Sequence, residues 1–166
     1  MRHIKYIPSK DIYLTEYDDI IDVRSPLEYA EDHLPGSINL PVLSNSEREE
    51  VGTTYKQINP FEARRRGAAL VSRNISEHLE RYFFDKEKNY SPLIYCWRGG
   101  ERSRSIATIL ESIGWKPTLL EGGYQAYRKH IVESFDNILQ NDFHFKIISG
   151  LTGSGKTKLL KHLNDC

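Results

Sequence analysis

A mostly parallel α/β sheet with helices on both faces is the fold the sequence predicts, and three observations predict it. Short apolar runs end in polar turns at DDIIDVRS (18–25), INLPV (38–42), SPLIYC (91–96) and PTLLEGG (117–123). Longer stretches with helical periodicity separate them. Strands alternating with helices imply a parallel sheet buried on both sides, which is why its strands read as continuous apolar runs. At 166 residues the chain has room for one domain with a full core plus a remnant of a second.

Taken in order, Ile20, Ile21 and Val23 form the first expected strand, and Pro26 suits the first turn of a short helix over PLEYAEDH. LPGS is a turn, and INLPV a second short strand. Residues 44–57 (SNSEREEVGTTYKQ) and 60–84 (PFEARRRGAALVSRNISEHLERYFF) read as helices. In the second, Ile75, Leu79, Tyr82 and Phe83 make one apolar stripe, as a helix covering a sheet requires. SPLIYC follows as a strand. The helix after it places Ile106, Ile109, Leu110 and Ile113 on one face and stops at Gly114. PTLLEGG is strand and turn, and Tyr127, Ile131, Phe135 and Ile138 or Leu139 stripe a last helix that leads into FHFKIISG.

Composition narrows the function. Hydrophobic residues at 39% and charged residues at 28% are those of a soluble globular chain. No stretch approaches the ~20 apolar residues of a spanning helix, and MRHIKYIPSKDIYL lacks the continuous apolar core of a signal peptide. The expectation is a cytoplasmic protein with no membrane partner. Twenty-three basic and 23 acidic residues cancel, so nucleic acid would have to be held by a local patch. Arg64, Arg65 and Arg66, with Arg73, form the best one. Cys96 and Cys166 are expected as free thiols.

The chemistry is concentrated in CWRGGERS, residues 96–103. A strand that ends in cysteine and turns through two glycines into a helix lets backbone N–H groups converge on one point. The helix N-terminus, Arg98 and Arg102 add positive charge. Such a setting favours the thiolate, which is the nucleophilic form. Cys96 is therefore the candidate nucleophile, with Arg98, Gly99, Gly100, Arg102 and Ser103 as the cradle for an anion. The spacing C-x5-R-S leaves two chemistries open: phosphate-ester hydrolysis, as in cysteine phosphatases, and sulfur transfer.

A second anion site is GLTGSGKT, 150–157, a complete G-x-x-x-x-G-K-T after the strand-like FKIIS and before KLLKHL. Gly150, Gly153, Ser154 and Gly155 would wrap phosphates, Lys156 would reach the outer ones, and Thr157 would ligate Mg²⁺. No Walker-B aspartate follows, so the expected organisation is one domain over 1–140 and the start of an incomplete P-loop domain over 141–166.

The segment DVRSPLEYAEDHLPGSINLP, with LLEGGYQAYR further on, resembles the rhodanese pattern and covers about residues 15–130. That resemblance implies a structural ion pair between Asp22 and Arg24, and a packing role for His33. The cysteine loop is one residue longer than the C-x-x-G-x-R-S of ordinary single-domain rhodaneses, which predicts a cradle wide enough for a tetrahedral oxyanion. CWRGGERS, LPVLSNSEREEVGTTYKQ, LEGGYQAYR and GLTGSGKT together resemble the tRNA 2-selenouridine synthase family. The resemblance implies replacement of sulfur by selenium in wobble 2-thiouridine of tRNA, with selenophosphate and geranyl diphosphate as co-substrates and geranylation as a linked activity. It implies that Cys96 is the catalytic cysteine, carrying selenium as a selanylsulfide or assisting its exchange. Geranyl diphosphate, or a nucleotide with Mg²⁺ when the second domain is complete, would occupy the P-loop. tRNA and the selenophosphate-producing enzyme would be partners, and Trp97 could stack on an extruded base or equally serve packing. The alternatives are a generic persulfide carrier, a Cys-x5-Arg phosphatase and a non-catalytic rhodanese module. Tyr95, where the phosphatases usually carry histidine, disfavours the second of these.

Overall fold

The computed structural model describes residues 4–138 and 147–164. It forms two compact units, 1–133 and 134–166. The first unit is built on a five-stranded sheet of β1 (Lys5–Ile7), β2 (Ile20–Asp22), β3 (Ile38–Asn39), β4 (Leu93–Tyr95) and β5 (Thr118–Leu120). Spatial order is β1-β5-β4-β2-β3, and every pairing is parallel. Its helices are α1 (Pro26–Glu31), α2 (Asn45–Gln57), α3 (Pro60–Arg81), α4 (Glu101–Ile113) and α5 (Gly123–Ile138), with a 3-10 helix over Ser9–Leu14. α5 runs across the division between the units.

Both faces of the sheet are buried, as the continuous apolar strands require. Successive side chains of a strand point to opposite faces, and β4 shows the consequence. Ile94 and Cys96 join a core cluster with Val71 and Ile75 of α3 and Ile106 and Leu110 of α4. Leu93 and Tyr95 join another with Ile12, Leu34, Tyr124 and Tyr127. Cys96 thus sits at the carboxyl end of a central strand, where open parallel sheets place their ligands.

The expected α/β architecture is present, with differences in detail. β1 was not foreseen: Lys5-Tyr6-Ile7 is a three-residue edge strand with one buried side chain, too short to show a period, and it pairs only with β5. INLPV contributes only Ile38 and Asn39 as strand, because Pro41 has no N–H to extend the ladder. Ile113 is 53% exposed although it falls on the apolar stripe of α4. It is the last residue before the left-handed cap at Gly114, where the helix ends. Phe135 is likewise 55% exposed. The strand expected over FKIIS falls partly on residues outside those described, as do Leu139 and Cys166. Ile147 to Gly150 carries no strand, since Ile147 is 88% exposed and has no described strand to pair with. In the second unit the helix α6, Lys156–Asn164, does follow the glycine-rich segment. Among the described residues no helix is long and apolar enough to cross a membrane.

Candidate active site around Cys96

Cys96 is a free thiol, 3% exposed, at the floor of the 96–103 loop. Its Sγ lies 3.2 Å from Ser103 Oγ, which is fully buried in the first turn of α4. Ser103 Oγ is also 3.2 Å from Gly100 O. A hydroxyl has one proton, so Ser103 either donates to Gly100 O and accepts from a thiol, or turns and donates to a thiolate.

The loop is shaped by its neighbours. Tyr124 N–H donates to Cys96 O at 2.9 Å and Gln125 N–H to Trp97 O at 3.0 Å, so the first turn of α5 fixes the loop carbonyls. Gly99 turns at φ +65°, and a Cβ there would stand 3.0 Å from Leu120 O. Gly123, at φ +61°, lies against the same backbone: a Cβ would collide with Cys96 O and approach Gly99 N to 2.6 Å. Only glycine fits either position. With the carbonyls held from outside, the N–H groups of Arg98, Gly99, Gly100, Glu101 and Arg102 have no acceptor among the described residues. A Cβ on Gly100 would meet nothing within 4 Å. These N–H groups are the donors the loop has available for an anion.

The two cradle arginines differ. Arg98 is exposed, and its Nε–H donates to Gln125 Oε1 at 3.1 Å. Arg102 is mostly buried and forms a fork to Glu28, Nη1 to Oε2 at 2.7 Å and Nη2 to Oε1 at 3.1 Å. Glu28 also accepts from the N–H and O–H of Ser25. Burial alone would raise its carboxyl, but the Arg102 bonds and charge, with those from Ser25, hold it at about 2. Arg102 is therefore a fixed charge with N–H groups to spare for a ligand.

Asp22 and Arg24 form the buried ion pair expected of them, 2.6 Å apart and at most 1% exposed. The Arg24 guanidinium also donates to Asp32 O and lies 4.1 Å from the centre of the Tyr124 ring. Tyr124 donates to the Asp32 carboxylate, and burial together with that acceptor pushes its hydroxyl up to about 12. His33 packs as expected, stacked on Tyr29 with ring centroids 3.9 Å apart. Trp97 is half-buried against Tyr124, and its remaining surface lines a groove with Arg128, Lys129 and Val132. Of the basic patch, Arg65 pairs with Glu62 and Arg66 with Glu50. Arg64 has no carboxylate partner among the described residues.

In the second unit, Gly153 and Gly155 turn at φ +83° and +82°. Lys156 Nζ reaches back over the loop to Gly150 O at 2.8 Å and Leu151 O at 2.7 Å, with Ser154 Oγ at 3.4 Å. Thr157 is exposed on the first turn of α6.

The sheet order, the cysteine at the end of β4 and the loop clamped by α5 agree with a sequence match: the rhodanese-like domain family matches residues 10–130. The chain belongs to this family. The chain is also 36% identical over 146 residues to a tRNA 2-selenouridine synthase of Psychromonas ingrahamii, and 39% identical over 145 residues to one of Proteus mirabilis. These matches cover 88% and 87% of this chain but 40% of each relative, so the chain spans about two-fifths of their length. Among solved structures, the N-terminal domain of a Clostridium difficile 630 protein described as ATP/GTP binding superposes with a TM-score of 0.68 at 38% identity. That match covers 77% of this rhodanese-like chain and 99% of the other.

Two contributors to the site are missing from the sequence reading. Glu28 orients Arg102 from 74 residues away, and Gly123 shapes the loop from the far side of β5. The glycine pair in LLEGGYQAYR was the available signal for the second; Glu28 had none beyond its place in a short helix.

Proposed function

We propose that this rhodanese-like chain is the selenium-handling part of a tRNA 2-selenouridine synthase, with Cys96 as its nucleophile. The observation that carries the reading is the set of free donors in the 96–103 loop. Five backbone N–H groups without acceptors among the described residues, and one arginine held by Glu28, follow directly on a cysteine at a strand end. The relatives named tRNA 2-selenouridine synthase support the substrate.

In this reading selenophosphate lies in the loop with its oxygens on the Gly99 and Gly100 amides, on Arg98 and on Arg102. Ser103 holds the Cys96 thiolate. Attack of the Cys96 thiolate on phosphorus forms an S–P bond and breaks the P–Se bond, selenide leaves with the bonding pair, and water later cleaves the S–P bond to release phosphate and the thiolate. In the tRNA step the freed selenide adds to C2 of the S-geranylated wobble 2-thiouridine, the C2–S bond breaks, and geranyl thiolate leaves with the bonding pair. In this reading Trp97, which lines a groove with Arg128 and Lys129, stacks on that base. Gly150, Gly153, Ser154, Gly155, Lys156 and Thr157 hold the diphosphate of geranyl diphosphate or a nucleotide with Mg²⁺.

The test is the intact mass of the chain after incubation with selenophosphate, beside thiosulfate and beside the Cys96→Ser variant. A phosphoryl adduct that requires Cys96, formed with release of selenide and in preference to a sulfur adduct from thiosulfate, is expected. A sulfur adduct alone would reassign the chain as a general persulfide carrier.

A further inference from the structure

The two arginines of the Cys96 loop are compensated unequally. Arg98 meets a neutral partner, the side-chain amide of Gln125, and among the described residues no carboxylate cancels its charge. Arg102 meets a carboxylate. Its fork to Glu28 closes at 2.7 and 3.1 Å, with the two side chains only 17% and 24% exposed, where solvent screens a charge poorly. Glu28 is also fixed from behind. It closes the capping box of α1, and its Oε2 accepts from Ser25 N–H at 3.1 Å and from Ser25 O–H at 3.0 Å. Arg48 adds a looser contact, Nε to Oε2 at 3.9 Å, from a side chain 45% exposed. A carboxylate held by both Ser25 and Arg102 does not swing aside when an anion enters, so its charge acts on whatever the loop holds.

We propose that Glu28 is a positioning residue that sets which anions the loop takes: acting through Arg102, it leaves the loop rich in donors while Arg98 alone carries an uncancelled charge. The proposal rests on the oxyanion reading above and adds what limits the grip. Five backbone N–H groups with two uncancelled arginines would hold a phosphate dianion tightly. Such a grip would slow the release of phosphate that closes each cycle. With Glu28 in place, Arg102 contributes hydrogen bonds and shape without net charge. Glu101, in the first turn of α4, is exposed, where water and salt screen it. The buried carboxylate is therefore the one that tunes the loop.

Sulfate and perchlorate separate charge from geometry, because both are tetrahedral oxyanions and only the first is a dianion. Each is titrated at constant ionic strength against iodoacetamide alkylation of the 166-residue chain, read at Cys96 by peptide mass, so the P-loop does not contribute. In the unmodified chain the two half-protecting concentrations are expected to lie within about tenfold of one another. Glu28→Gln uncovers the charge of Arg102 and should shift their ratio towards sulfate by about tenfold or more. Glu28→Asp shortens the side chain but keeps its charge, and should keep the ratio of the unmodified chain. Thermal unfolding verifies that each variant is folded, and the ratio in the unmodified chain decides the matter if Glu28→Gln is not. A preference for sulfate of about a hundredfold in the unmodified chain would overturn the proposal. So would an unchanged ratio in Glu28→Gln, or an equal shift in Glu28→Asp, which would show that Glu28 acts by geometry alone. No selenophosphate is used, so the two readings fail separately. A chain that forms no phosphoryl adduct but shows the Glu28-dependent shift keeps the charge selectivity without the selenium chemistry, and the reverse result removes the charge selectivity alone.

Discussion

The two glycine-rich loops of this chain, 96–103 and 150–157, both expose backbone N–H groups at the start of a helix, yet they are held by different means. The cysteine loop takes its shape from distant partners: α5 fixes its carbonyls, Gly123 presses on its backbone and Glu28 fixes Arg102. The P-loop-like segment is held by its own lysine, whose Nζ bridges Gly150 O and Leu151 O within six residues. One loop is specified by the tertiary fold and the other by local sequence. Damage to the first should therefore spread through the domain, and damage to the second should stay where it is made.

The largest effect is expected from Gly123→Ala. A residue with a Cβ at φ +61° is strained by about 1–2 kcal/mol, and here the new methyl also overlaps the Cys96 and Gly99 backbone. A loss of more than about 3 kcal/mol is expected in urea unfolding. The matched change in the other loop is Gly153→Ala, at φ +83° with nothing within 4 Å of the new methyl. It should cost about 1–2 kcal/mol and leave unfolding of the first unit unchanged. Equal losses for the two variants would erase the contrast.

Next comes Glu28→Gln. The carboxyl is held at about 2 against an ordinary 4.5, so its pairing stabilises the folded state fully above pH 4.5 and is lost as pH falls towards 2. At neutral pH this amounts to about 3 kcal/mol. Acid titration of stability should therefore be flatter for Glu28→Gln between those values. A parallel titration curve would show that the Arg102 fork contributes nothing.

Smaller again is Ser103→Ala, which removes one hydrogen bond to sulfur worth about 1 kcal/mol. Alkylation of Cys96 should slow by about fivefold with the fold intact. Lys156→Ala should change stability by less than about 0.5 kcal/mol, because its bonds are exposed. Pyrophosphate binding is the readout that it should lose.

The same contrast explains what could be read from sequence. The turns and the following helix of the 150–157 loop were legible because their determinants lie within eight residues, whereas no strand precedes it over 147–150. The fold class, and the place of Cys96 at the end of a strand, were legible from the alternation of strands and helices. The Asp22–Arg24 pair followed from the resemblance to the rhodanese pattern, and the structure has it. What escaped were pairings that depend on chain reversal. Glu28 meets Arg102 across 74 residues, and Tyr124 meets Asp32 across 92. β1 escaped because three residues carry no period, and the exposure of Ile113 because periodicity marks a face without saying where the sheet beneath it ends.

The central claim is that the 96–103 loop holds a tetrahedral oxyanion over Cys96. The most direct test is the rate of iodoacetamide alkylation, resolved at Cys96 by peptide mass, as inorganic phosphate is raised at constant ionic strength. Saturable protection that Arg102→Ala weakens is the result expected. A rate that does not depend on phosphate would show that the loop is not an oxyanion cradle, and the selenophosphate reading would fall with it.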